Sequence, residues 1–159
     1  MCTALVRVAV IAALVTGCHT PPAGSTLVFG DEFSGLSIDR AKWIVYTGPV
    51  YNAELQAYVD DTATAYVRDG MLVLQARARA HRDTAGRAVE FVSARLHGRT
   101  TFRYGTIAAR MKLPTGAGLW PAFWLLGEGA WPAHGEIDVM EYLQDLFRAF
   151  TSNNVTGVD

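Results

Sequence analysis

Residues 136–141 read Glu-Ile-Asp-Val-Met-Glu, three carboxylates set into an otherwise apolar run, and only a particular strand geometry accommodates that pattern. Strand side chains alternate faces, so Glu136 and Asp138 point one way while Ile137 and Val139 are expected to point into a core. Glu141 then falls on the wrong face unless the strand carries one extra residue at Val139-Met140, a β-bulge. Bulges occur beside active sites because they re-aim a side chain. With the extra residue counted out, Glu136, Asp138 and Glu141 form one row on one exposed face.

Such a row suits glycoside hydrolysis with retention, which places a carboxylate nucleophile and a carboxylic acid/base about 5–5.5 Å apart across the scissile bond. Four strand steps separate the outer Cα atoms by roughly 13 Å, and two glutamates leaning together close most of that gap. The central Asp lies beside the nucleophile, where like charges keep the two from ionising independently. Glu141 is expected to need a raised pKa to serve as an acid, to which the neighbouring carboxylates contribute. The plainer alternatives are a solvated edge strand or a cation site. Edges are usually blunted by Lys, and an all-acidic row repels itself. Calcium sites favour loops with carbonyl ligands. His134 stands near Glu136, but no second His lies at a metal-ligand spacing. The balance favours catalysis.

The chain has 159 residues, 14 basic and 15 acidic side chains and a net charge of −1. That length suits one domain, and without a basic run a nucleic-acid partner is not expected. Residues 1–17 carry Arg7, an apolar run Val8–Val15 and small residues before Cys18. This pattern is an export signal, too short to span a membrane. Val15-Thr16-Gly17-Cys18 resembles a bacterial lipobox, which implies cleavage before Cys18 and lipidation of that cysteine; the alternative is an ordinary secretory signal with a chance Cys. Membrane association is expected only through that anchor. Cys2 leaves with the signal, so no pair remains for a disulfide. Residues 18–26, with Pro21-Pro22, read as a tether.

The remainder is a series of short strand-like runs broken by turn signals. Leu27–Phe29, Ala41–Tyr46, Val89–Leu96, Thr101–Tyr104 and Thr106–Leu113 are strand candidates. Ala65–Val67, Asp69-Gly70 and Met71–Ala76 read as a hairpin. No long stretch has a helical period, and Leu143–Phe150 is too brief to assign as a helix. Regularly spaced short strands suggest an all-β sandwich. Trp120, Phe123, Trp124 and Trp131 crowd the stretch before the acidic row. Tryptophans beside paired carboxylates suit a sugar groove, and core packing is the alternative.

Together these residues resemble glycoside hydrolase family 16, in its laminarinase-like branch. The branch carries Glu-x-Asp-x-x-Glu on a bulged strand, here Glu136 to Glu141. Other stretches match in order: Phe29-Gly30-Asp31-Glu32-Phe33, Lys42-Trp43, Asn52-Ala53-Glu54-Leu55-Gln56, Ser93-Ala94-Arg95, Gly118-Leu119-Trp120-Pro121-Ala122-Phe123-Trp124 and Trp131-Pro132. The resemblance covers residues 27–143 and implies a concanavalin-like β-jelly-roll sandwich. It implies Glu136 as nucleophile, Glu141 as acid/base and Asp138 as helper, with Asn52, Arg95, Trp120, Trp124 and Trp131 binding substrate. Arg95 also reads as a surface strand charge and Asn52 as a turn residue. His134 stands where many relatives have Cys, which reads as a tuning position near the cleft. The resemblance implies no required cofactor, and a structural calcium near Phe29–Phe33 that draws on the far end of the domain.

The family's domain runs well past the catalytic strand, so the sandwich is expected to be incomplete at the C-terminus, with residues 144–159 an atypical, irregular tail. The function implied is an exported, monomeric endo-acting hydrolase of β-1,3 or mixed β-1,3/1,4 glucan. Rival readings are a galactan hydrolase of the agarase or carrageenase kind, a β-glucan-binding protein, or a non-functional fragment.

Overall fold

The computed structural model describes residues 3–7, 23–49, 53–143, 148–150 and 153–155. Cys18, the expected lipidation site, lies outside the described residues. Every regular element among the described residues is a strand, and no described helix is long and apolar enough to cross a membrane. The chain divides into two compact units between Lys112 and Leu113.

The first unit carries three small sheets. One has the order β4 (Ala65–Arg68), β5 (Met71–Gln75), β1 (Thr3–Arg7), β9 (Arg110–Lys112). β1 falls within the segment read as an export signal, and its backbone pairs antiparallel with both neighbours. The second sheet pairs β2 (Trp43–Val45) with β8 (Leu96–Gly98), and the third orders β3 (Gln56–Tyr58), β7 (Ala88–Ser93) and β6 (Arg77–Arg82).

The expected hairpin is present. Arg68 pairs with Met71, and the two turn residues both take positive φ, 53° at Asp69 and 66° at Gly70. That is the type I′ geometry whose twist matches the flanking strands, and it is why Asp-Gly signals it. Other expectations fare differently. Residues 27–29 and 101–104 form no strand, and Leu27 and Val28 stay 62% and 65% exposed. A short apolar run becomes a strand only where a neighbouring edge takes up its backbone groups. Conversely β6, rich in arginine, is a strand because β7 pairs with it despite the lack of an apolar face.

The core of this unit gathers Phe33, Ile38, Val45, Ala65, Leu72 and Ala94, with Trp43, Val67, Leu74, Leu96 and Ala109 packed around them. Its entry point is held by Asp31, which is buried. One carboxylate oxygen accepts from the Trp43 indole Nε1 at 2.8 Å and the other from the Phe33 backbone N–H at 2.9 Å. Lys42 Nζ sits 3.7 Å from the same carboxylate and donates to the Gly30 carbonyl at 2.9 Å. Both Asp31 oxygens and the adjacent Gly30 carbonyl in the segment expected near a calcium thus accept from donors, one of them cationic. No cluster of three His, Cys, Asp or Glu side chains among the described residues has the spacing of a metal site.

Trp43→Phe keeps the ring in the core but removes the donor to Asp31. It is expected to cost about 1.5–3 kcal/mol, because a buried charged acceptor loses its partner. Urea unfolding measures this against Leu36→Ala, a change at a 99% exposed side chain expected to stay within about 0.5 kcal/mol.

Candidate active site

The second unit is built on β11 (Glu136–Leu143), flanked on one edge by β10 (Ala122–Leu126). Its other edge takes β12 (Arg148–Phe150) and β13 (Asn153–Val155), so the stretch expected to be irregular supplies two short strands. Nothing in those two segments announces a strand; β11's own edge groups supply their partners.

The register of β10 on β11 contains the bulge that the carboxylate pattern requires. Phe123 pairs with Met140, but the next residue, Trp124, pairs with Asp138. Val139 is the extra residue. Directly opposed residues share a face, so Leu126 with Glu136, Trp124 with Asp138 and Ala122 with Glu141 lie on one side of the sheet. All three acids are thereby aligned. The opposite face, with Leu125 opposite Ile137 and Phe123 opposite Met140, is less covered than expected. Ile137 is 44% exposed, since the described residues pack only partly over that side, whereas Asp138 on the acidic face is buried at 6%.

Each outer glutamate accepts a hydrogen bond from a tryptophan. Trp131 Nε1 donates to Glu136 Oε2 at 2.7 Å, and Trp120 Nε1 donates to Glu141 Oε1 at 3.0 Å. Both indoles remain open to solvent, 62% and 51% exposed, so core packing does not account for them. Trp124 is half-buried beside Asp138. Their clustering in the sequence just before the acidic row placed these tryptophans near the acids, but their bonding to the outer pair was not legible from it.

Trp131 is delivered by the β10–β11 loop. Gly127 N–H donates to the Gly135 carbonyl at 3.0 Å, Gly135 N–H to Pro132 O at 3.0 Å and His134 N–H to Ala130 O at 3.3 Å. This closure brings the His134 carbonyl against Gly127 so closely that a side chain there would collide with it. Only glycine allows the loop to close this way. His134 itself is exposed at the loop's end.

Burial, followed by the charges of Glu141 and Glu136, raises the Asp138 pKa above its ordinary 3.8.

Arg95 belongs to the first unit. Its guanidinium lies 4.7 Å from the Tyr46 ring centroid and its Nε donates to His97 Nε2 at 2.9 Å. Asn52 lies outside the described residues. The structure thus gathers Glu136, Asp138, Glu141, Trp120, Trp124 and Trp131 around one strand.

The raised pKa of Asp138 makes stability fall as pH rises from 3.8 through the folded-state value, because the folded state holds the proton more tightly than the unfolded chain. Asp138→Asn removes that fall. Thermal melts are expected to coincide with wild type below the window and to lie progressively higher as pH rises through it.

Comparison with known proteins places this geometry. The family model described as "XgeA-like, catalytic GH16 domain" matches residues 50–156. Glucan endo-1,3-beta-glucosidase A1 of Niallia circulans is 37% identical over 145 residues, covering 79% of this chain and 21% of that protein. A beta-glucanase of Rhodothermus marinus is 41% identical over 130 residues, covering 74% of this chain and 43% of its own length. The solved catalytic domain of an endo-1,3-beta-glucanase (laminarinase) from Thermotoga petrophila superposes with a TM-score of 0.67 at 38% identity, over 75% of this chain and 52% of that one. The chain spans about half, or less, of the length of these relatives. Its all-β architecture is of the jelly-roll sandwich class. With its bulged Glu-x-Asp-x-x-Glu strand, the chain belongs to glycoside hydrolase family 16, in its laminarinase-like branch.

Proposed function

We propose that the chain is catalytic sequence of a retaining endo-β-glucanase acting on β-1,3 or mixed β-1,3/1,4 linkages. The observation that carries this reading is the bulged β11, which sets Glu136, Asp138 and Glu141 on one face with an indole bonded to each outer glutamate. The relatives named for action on β-glucan support the substrate class.

In the first half-reaction Glu136 attacks the anomeric carbon as the glycosidic C–O bond breaks, and Glu141 gives its proton to the departing oxygen. In the second, Glu141 takes a proton from water, whose oxygen attacks the same carbon and releases Glu136. The two inversions leave the configuration retained. The indole bonds suit these roles. A donor on Glu136 holds the carboxylate with one oxygen committed and the other presented, and a donor on Glu141 fixes the orientation of its carboxyl group. Asp138 lies beside Glu136 on the same face of the strand, where a proton shared between the two would help to hold Glu136 in position. Trp120 and Trp131, exposed beside the acids, offer indole faces to the flat C–H faces of a pyranose. Export through residues 1–17, anchoring at Cys18 and action as a monomer belong to the same proposal, on the sequence pattern alone.

Incubation of the 159-residue chain, carrying Cys18→Ser, with laminarin is expected to release reducing ends, with the β-anomer appearing first by proton NMR. Glu136→Gln should reduce release to background, and Glu141→Gln should lower it about 10²–10⁴-fold, the usual contribution of a general acid. Agarose and carrageenan serve as competing substrates. Preferential cleavage of either would replace the β-glucan assignment, and first appearance of the α-anomer would exclude retention.

A further inference from the structure

The loop between β10 and β11, which lies wholly within the unit carrying the acidic row, is closed by backbone bonds at its base and tip and by the His134 side chain between them. At the base the strand ladder continues past the Leu126–Glu136 pair, with Gly127 N–H donating to the Gly135 carbonyl at 3.0 Å. The tip is a turn in which His134 N–H donates to the Ala130 carbonyl at 3.3 Å and Gly135 N–H to the Pro132 carbonyl at 3.0 Å. Between base and tip, the His134 imidazole crosses to the opposite limb. Its Cγ, Cδ2 and Nε2 lie where a Cβ on Gly129 would project. Gly129 also holds φ at 137°, a conformation that residues with side chains rarely adopt. Glycine is thus required at 129 for two separate reasons, its own backbone and the ring that crosses it.

Trp131 stands in that turn. Its side chain is 62% exposed, so burial does little to fix it, and its place 2.7 Å from Glu136 Oε2 depends on the backbone that carries it. We propose that His134 clasps the β10–β11 loop against Gly129 and is thereby a positioning residue for Glu136, acting through Trp131. The inference rests on the proposed reading in which Glu136 is the nucleophile. A loop released at Gly129 samples more conformations, and each one that moves residue 131 withdraws the donor from Glu136. With Oε2 bonded to the indole, Oε1 is the oxygen left to attack the sugar. Without that bond the carboxylate must be oriented anew in each encounter, and its ordering becomes part of the barrier. The ring acts by its bulk against the Gly129 backbone, so a flat ring without nitrogens serves the same purpose.

The test follows the Trp131 Nε1–H signal in proton–nitrogen NMR spectra of the full chain, which holds four tryptophans; the signal is assigned by its loss in Trp131→Phe. In wild type it is expected downfield of a water-exposed indole, and Glu136→Gln should move it upfield because the acceptor loses its charge. His134→Gly should move it the same way, whereas His134→Phe should leave it near the wild-type position. Gly129→Ala supplies a complementary arm. In wild type its methyl displaces the ring, but in His134→Gly there is no ring to displace, so the added shift should be smaller there. Equal shifts in both backgrounds, or a signal unmoved by His134→Gly, overturn the clasp. The Trp120 indole, bonded to Glu141 in the same unit, is the control. Its signal should stay in place in the loop variants, and its movement together with that of Trp131 overturns a local clasp.

Kinetics on laminarin then separate the orientation of Glu136 from sugar binding by Trp131. His134→Gly should lower kcat several-fold with a smaller change in KM, and His134→Phe should restore most of the kcat. A loss confined to KM overturns the positioning role. A wild-type chain that cleaves no laminarin, yet whose Trp131 signal responds to Glu136→Gln and His134→Gly, upholds the clasp and overturns the β-glucanase reading alone.

Discussion

One additional residue on β11 governs the chemistry of the acidic row. Phe123 and Trp124 are neighbours on β10, yet they pair with Met140 and Asp138, so Val139 has no counterpart. Without that offset, Glu141 would project from the face opposite Glu136 and Asp138, and Glu136 and Glu141 could not reach both sides of one glycosidic bond. The bulge converts a sequence separation of five into a spatial separation of four strand steps. The cross-strand neighbours Leu126, Trp124 and Ala122 then line the same face.

The electrostatics follow from that alignment. Three carboxylates in a row repel one another, and the structure distributes the consequences unevenly. The middle acid is buried at 6% and carries the raised pKa. The outer two each accept an indole N–H, from Trp131 and Trp120. The row therefore has a buried centre and two ends bonded to indoles, an arrangement in keeping with the proposed nucleophile and acid/base. The delivery of Trp131 depends in turn on the Gly127–Gly135 loop closure, which no side chain at position 127 would permit.

The features legible in the sequence were those in which a residue type leaves one conformation open. Asp69-Gly70 demanded a type I′ turn because both residues adopt positive φ. The spacing of Glu136, Asp138 and Glu141 demanded a bulge because face parity left no other way to align them. What escaped depends on partners rather than on local pattern. β6 and the two strands after residue 147 exist because a neighbour's edge pairs with them. Leu27–Phe29 looked like a strand and is not, its connection to the core running instead through Asp31, Trp43 and Phe33. Ile137, expected inside, is 44% exposed. The tryptophans could be assigned to the neighbourhood of the acids but not to individual hydrogen bonds, since those depend on the loop's path.

The most direct test of the account is to trap the glycosyl-enzyme with a 2-fluoro-substituted laminaribiosyl fluoride, whose fluorine slows release of the sugar, and to map the modified peptide by mass spectrometry. The account predicts a single adduct, its mass that of the sugar, on the peptide at Glu136, and none in Glu136→Gln. An adduct at Glu141 or Asp138 would contradict the assignment of roles, and turnover of the reagent without any covalent species would contradict double displacement itself.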